Sequence, residues 1–326
     1  MKGAISLIVL ALSFLHTTTI LAQCEAPVPC KDAELNRLNT TDCQTYHAFI
    51  ARGSDSGYPG HLGGLIKLIC HNFTSEDSET TCGYENIVYP ANSTAWGKDA
   101  WCKSATIGAE AGQAQMKAYA ERCLDAKLIV LGFSQGGSVV LDVLGGGGGE
   151  VFECVQGDTP AMDRSTAPGS NVVAATVFGA VRRSPSQPYS LKGGRNYSGT
   201  ASRSAAQLAG LAPYADILRD YCNQGDPICA VGSEPVDVAR HLDYFELYNE
   251  EAKDFVVRTA RGERVGVGEE EEGNGTASGT EVTRASGTPT PSATQWNSQE
   301  AQGGASVGRS VNMIVIGGAF GAMMLL

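Results

Sequence analysis

Histidine is scarce in this chain: five occur among 326 residues. His16 falls in the apolar N-terminal stretch, so a mature domain has His47, His61, His71 and His241 as imidazole bases or metal ligands. Basic residues are also outnumbered. Lys and Arg total 24 against 35 Asp and Glu, a formal net charge of −11. A chain so poor in positive charge has no basic patch to hold nucleic acid. Part of the acidic excess is local, at residues 269–272, where solvent alone satisfies it. No Cys-x-x-Cys pair or Cys/His quartet of zinc-finger spacing occurs, so no metal site is expected. The five glycines 145–149 lack the Gly-Lys-Ser/Thr of a phosphate loop and follow a helical stretch instead of preceding one. They read as a flexible helix stop.

Neither terminal apolar stretch reaches the length of about 20 residues that spans a bilayer. At the N-terminus, Lys2, the apolar residues 5–15 and Leu21-Ala22 have the layout of a secretory leader over residues 1–22. At the other end, residues 311–326 are apolar and uncharged, behind the polar small-residue stretch "NSQEAQGGASVGRS". That layout predicts a signal exchanged for a GPI lipid anchor; a plain membrane-associated tail is the alternative. Ten cysteines follow the leader, an even number in an exported chain, and disulfides are the expectation. Sequons at Asn39, Asn72, Asn92, Asn196 and Asn274 predict glycosylation in the same compartment.

Residues 23–259 hold nearly all the apolar periodicity and every mature cysteine. Residues 260–310 are rich in Gly, Ser, Thr, Glu and Pro and read as an unfolded stalk before the tail. Within the folded region, 46–51, 87–89, 127–133, 172–178 and 217–221 read as strands. Residues 62–70, 107–122, 136–144 and 241–258 read as helices, the last one continuous. Strands alternating with helices predict an α/β fold, three layers around a mainly parallel sheet. Sites in such sheets lie at the carboxyl ends of strands.

One such end carries "GFSQGG". A Gly-x-Ser-x-Gly turn between strand and helix lifts the serine out as a nucleophile, with Gly132 and Gly136 permitting the sharp bend around Ser134. A tight turn that happens to contain serine is the bland reading; the flanking strand and helix favour the elbow. In this arrangement the partners follow in the order serine, acid, histidine, and His241 is the one histidine after Ser134. His47 lies in a predicted strand and reads as packed; His61 and His71 read as surface residues. Ten carboxylates lie between Ser134 and His241. Asp226 stands out because "CNQGDPIC" places it in a short loop that a Cys222–Cys229 bridge would tighten, fixing the carboxylate that orients the histidine. A Gly-Asp-Pro turn without such a role is the competing reading.

"GFSQGG", "CNQGDPIC" and "HLDYF", in this order and spacing, resemble the cutinase family, which includes the fungal acetylxylan esterases of carbohydrate esterase family five. "FIARGSDSGYPG" resembles its first-strand loop and "WCKSATIGAEAGQAQMKAYAERC" the helix before the elbow. The similarity spans residues 40 to 250 approximately. It implies an α/β hydrolase with an exposed serine, no cofactor and a small ester substrate, either acetylated xylan or a cutin-like polyester; the sequence shows no obvious lid segment, and a monomer is expected. The resemblance also implies an oxyanion hole at Ser54 and Gln135, and disulfides Cys43–Cys123, Cys222–Cys229 and Cys70–Cys82. The pairing of Cys24, Cys30, Cys102 and Cys154 stays open. Where many relatives carry Gly-Asp-Pro after the fourth strand, this chain reads "FGAVRRS", a departure expected to bear on the rim of the substrate site. A surface-anchored wall or adhesion protein on a hydrolase scaffold is the alternative to an enzyme; retention of all three triad positions argues for activity.

Overall fold

Three strands of nearly unbroken apolar sequence form the centre of the molecule. β1 (Tyr46–Ala51) is buried at every position, β3 (Lys127–Phe133) at all but Lys127, and β6 (Val172–Phe178) at all but Val173. Strands buried on both faces are the mark of a parallel sheet covered by helices. The computed structural model describes residues 32–263 and shows this arrangement. Six strands lie in the order β2 (Cys82–Asn86), β1, β3, β6, β8 (Leu218–Tyr221), β7 (Ser190–Leu191), each pair parallel. The leader, Cys24, Cys30, Asn274, the tail and all but the first residues of the stalk lie outside the described residues.

Side chains on a strand alternate between faces, and β3 shows where each set goes. Leu128 and Val130 pack beneath α3 (Ala100–Arg122) and α4 (Gln135–Gly145), among Met116, Tyr119, Val139 and Val143. Ile129, Leu131 and Phe133 pack on the other face against α2 (Gly63–Glu76) and α8 (Asn249–Ala260), among Ile66, Phe73, Phe255 and Val256. Both faces are therefore apolar and both are covered, giving three layers. The chain leaves β1 toward α2 on one face and leaves β3 toward α4 on the other. Their carboxyl ends thus flank a crevice where the winding reverses, the place such sheets bind ligands.

Three elements differ from the reading of the sequence. The strand expected at 87–89 lies earlier, at Cys82–Asn86. It is the sheet edge, so half-buried Glu85 and Asn86 are tolerated there, while Val88 turns outward and its N–H bonds Gln115 Oε1 at 2.9 Å. The glycine run is not a flexible stop. Residues 147–151 form β4 (Gly147–Val151), antiparallel to β5 (Cys154–Thr159). A Cβ at Gly145 would stand 2.3 Å from the Leu211 side chain, and one at Gly148, where φ is +113°, would stand 2.1 Å from Asp158 Oδ1. Close packing and positive φ demand glycine there. Finally, the helix expected over 241–258 is three pieces: α6 (Ala239–Leu242), α7 (Tyr244–Leu247) and α8. The breaks fall at Asp243 and Tyr248, whose ψ values of 2° and 7° leave the helical range.

All eight cysteines among the described residues are bridged. Cys43–Cys123, Cys70–Cys82 and Cys222–Cys229 are present as the resemblance implies, and Cys102 pairs with Cys154, tying the hairpin to α3. No helix of the described residues is long and apolar enough to cross a membrane.

Candidate active site

The β3–α4 junction is a turn that only particular residues permit. Ser134 has φ 56° and ψ −118°, a region that costs a non-glycine residue about 1–3 kcal/mol. Its N–H donates to Phe178 O at 2.8 Å, and its carbonyl accepts the Ser138 N–H at 3.2 Å, so both sides of the strained peptide are held. The two flanking glycines are sterically required. A Cβ at Gly132 would lie 2.3 Å from Gly136 O, and one at Gly136 would lie 2.0 Å from Ala51 O. Both contacts are with backbone, which cannot swing aside.

Three elements converge on Ser134. His241, in α6, places Nε2 3.0 Å from Ser134 Oγ and Nδ1 2.9 Å from Asp226 Oδ2. Gly179, after β6, makes room for the ring: a Cβ there would stand 2.9 Å from His241 Cε1. Asp226 follows β8 within the loop closed by Cys222–Cys229. It has no exposed surface, yet both oxygens are satisfied. Oδ1 accepts the N–H groups of Ile228 and Cys229 at 2.7 and 3.2 Å, and Oδ2 accepts the Tyr244 O–H at 2.6 Å. Burial pushes the carboxyl pKa up, but the charge and hydrogen bond of His241 and the donors from Tyr244 and Ile228 outweigh it and hold Asp226 below the usual carboxylate range. Burial, with the Asp226 charge beside it, raises Tyr244 well above the ordinary phenol value, so its hydroxyl stays a neutral donor. A carboxylate only accepts, which assigns the proton at this contact to Nδ1 and leaves the Nε2 lone pair for the Ser134 hydroxyl. Such a series can take the proton from Oγ as the oxygen attacks an electrophile.

The positions expected for an oxyanion hole lie beside this group. Gln135 opens α4, and its N–H is among the first-turn donors that a helix leaves unpaired. Its buried side chain accepts from Ser104 Oγ at 3.1 Å and donates to Asn92 O at 3.0 Å. Ser54 follows β1, next to Gly53, where a Cβ would stand 3.5 Å from Ser134 Cβ. Tyr244 and Ser104 were not singled out from sequence, although "HLDYF" contains Tyr244. Among the described residues no cluster of His, Cys, Asp and Glu could hold a metal ion.

The remaining histidines and the 179–184 loop sort differently. His47 is fully buried in β1, 3.9 Å from the Tyr119 ring, and His71 is exposed. His61 is half-buried and not fully exposed as expected: its ring packs 5.0 Å from Phe133 and 5.9 Å from Phe245. Burial, then the charge of His241, lowers its pKa. In "FGAVRRS" both arginines turn inward and do not form a rim. Arg183, 1 % exposed, donates to Asp220 at 2.7 Å and to the carbonyls of Gly194, Tyr197 and Cys229, bracing the loop that carries Asp226. Arg182 is buried beside Gly149. Of the sequons, Asn39 and Asn196 are exposed and Asn72 and Asn92 half-buried.

A buried Asp, a His and a strained Ser in hydrogen-bond series at the carboxyl edge of a parallel sheet define the α/β-hydrolase class of architecture. The sequence profile of the Cutinase family matches residues 42–260, and the chain belongs to that family. It is 28% identical over 248 residues to Cutinase 11 of Verticillium dahliae, covering 74% of this chain and 76% of that protein. To the acetylxylan esterase of Hypocrea jecorina it is 27% identical over 268 residues, covering 80% and 82%. Among solved structures, the catalytic core domain of acetyl xylan esterase from Trichoderma reesei superposes with a TM-score of 0.55 at 27% identity, over 66% of this chain and 98% of that one.

The charged state of Asp226 is a stability term with a definite sign. Its folded pKa is depressed, so the contribution is present above the unfolded value of about 4 and is lost as pH falls below it. Tyr244→Phe removes a donor to that charged form and is expected to destabilise the protein by about 1.5–3 kcal/mol at pH 7. The gap to wild type should narrow below about pH 4, as the carboxyl protonates. Urea unfolding of both proteins from pH 3 to 7 checks this; a pH-independent gap contradicts it.

Proposed function

We propose that the protein is a carboxylic-ester hydrolase acting on acyl esters of plant-wall material, with Ser134 as nucleophile, His241 as general base and Asp226 as the group that orients it. The observation that carries this reading is the continuous series Ser134 Oγ–His241 Nε2 at 3.0 Å and His241 Nδ1–Asp226 Oδ2 at 2.9 Å. Oγ attacks the acyl carbon and its proton passes to Nε2. The carbonyl oxygen becomes an oxyanion that the donors at Ser54 and Gln135 receive. Collapse expels the alcohol, which leaves with the proton from Nε2. Water then attacks the acyl-enzyme, gives its proton to the same nitrogen and releases the acid, restoring Ser134. Asp226 stays ionised throughout, matching its depressed pKa. Relatives named as cutinase and as acetylxylan esterase support an ester substrate of either polymer class.

Ser134→Ala should lower hydrolysis of p-nitrophenyl acetate by roughly four to six orders of magnitude with the circular dichroism spectrum unchanged. Turnover within tenfold of wild type would remove Ser134 from the mechanism.

The same reading places the enzyme outside the cell. The leader at 1–22, the sequons and the disulfide-rich domain support export. The polar stretch 260–310 before the apolar residues 311–326 supports attachment to the surface through a lipid. Mass spectrometry of the mature protein should show N-glycans, no residues 1–22 and no residues 311–326. A chain intact from Met1 to Leu326 contradicts both processing events.

A further inference from the structure

Trp96 is 71% exposed, at the end of a short turn, Thr94–Trp96. A lone exposed aromatic needs no explanation, but this one is fixed in place and joined to the site. Its indole N–H donates to Asp55 Oδ1 at 2.7 Å. Asp55 is the residue after Ser54, held at φ 56°, with its own N–H on Ala91 O at 2.7 Å. The Ser93 N–H reaches the same Asp55 oxygen at 3.3 Å. Gln135 Nε2 meanwhile donates to Asn92 O at 3.0 Å. The segment 91–96 is therefore pinned to Gln135 and to Asp55, the neighbour of Ser54. Its indole stands in solvent at the rim with its orientation set by a hydrogen bond.

An acyl chain needs a continuous apolar trough. The two segments that carry Trp96 and its partner Asp55 are mostly polar where they are accessible: the half-buried Ser54, Asp55, Ser56 and Asn92 and the exposed Lys98 and Asp99. A flat apolar face edged by a carboxylate and hydroxyls matches a pyranose. The C–H face of the sugar lies on the ring, and adjacent sugar hydroxyls donate to the carboxylate.

We propose that Trp96 and Asp55 form a sugar-binding subsite at the rim, which positions a polysaccharide main chain so that an ester substituent reaches Ser134. The subsite rests on the esterase reading above and deepens it. It selects a polysaccharide over a polyester as the polymer.

Trp96→Ala should leave kcat/KM for p-nitrophenyl acetate within about twofold of wild type, because that substrate does not reach the rim. It should lower kcat/KM for acetate release from soluble acetylated xylan about tenfold, chiefly through KM. Trp96→Tyr, which keeps an aromatic face, should recover part of the loss. An equal fall on both substrates marks a structural role and overturns the proposal, as does no fall on either. Binding is read without catalysis by affinity electrophoresis through the same xylan. Ser134→Ala should be retarded and Ser134→Ala/Trp96→Ala should not. Retardation that appears only after enzymatic removal of N-glycans, with the Asn92 sequon nearby, means that the chain's own glycan covers the ring, and the proposal fails. If wild type hydrolyses neither ester yet is retarded through Trp96, the subsite stands and the esterase reading falls.

Discussion

At Gly136 the first turn of α4 lies so close to the end of β1 that a Cβ would stand 2.0 Å from the Ala51 carbonyl oxygen. At Gly132, on the strand below, the same backbone comes within 2.3 Å of a Cβ position. This double approach is the constraint on which the rest of the structure depends. It brings the ends of β1 and β3 together at the crevice, and it forces the intervening residue to φ 56°. The side chain at that residue is thereby held out of the sheet. The strain is met by the two covered faces of the sheet, whose apolar burial at about 25 cal/mol per Å² supplies far more than one unfavourable torsion costs.

The second requirement is a carboxylate that remains ionised without exposure to solvent. Burial alone would neutralise it. Four donors prevent that: two backbone N–H groups in the Cys222–Cys229 loop, the Tyr244 hydroxyl and the histidine. The breaks in the C-terminal helical region make this possible. A continuous helix over 241–258 would fix the directions of His241, Tyr244 and Tyr248 by helical periodicity. Broken at Asp243 and Tyr248, it sends His241 toward Ser134 and Tyr244 toward Asp226, while Tyr248 donates to Asn223 Oδ1 at 2.8 Å. Arg183 reinforces the same loop from below through its pair with the buried Asp220.

Much of this was legible in the sequence where the residues obey one strong rule. β1, β3 and β6 are apolar on both faces and bounded by turns, and their limits match the reading to the residue. The elbow was legible because steric necessity leaves a mark: glycine at two fixed positions around a serine. His241 followed from scarcity, and Asp226 from the cysteines that enclose it. What was missed depends on partners distant in sequence. The glycine run reads as flexible until Leu211 and Asp158 are seen packed against it. β2 was expected at 87–89, too late in the chain, because an edge strand need not be apolar on both faces and Cys82–Asn86 does not read as one. The helix breaks are invisible to periodicity, since apolar and aromatic spacing continues through them. Tyr244 was not singled out because only the fold reveals a buried carboxylate at its hydroxyl.

The central claim is that the fold itself activates one serine. A fluorophosphonate ester tests it directly, because it reacts with a serine whose hydroxyl proton has an acceptor and whose developing oxyanion has donors. Incubation of the native protein with the reagent, followed by peptide mapping, should show one label per chain. It should lie on Ser134, and it should vanish in urea-unfolded protein and in the His241→Ala variant. A native protein that takes no label, or takes it on another serine, contradicts the account.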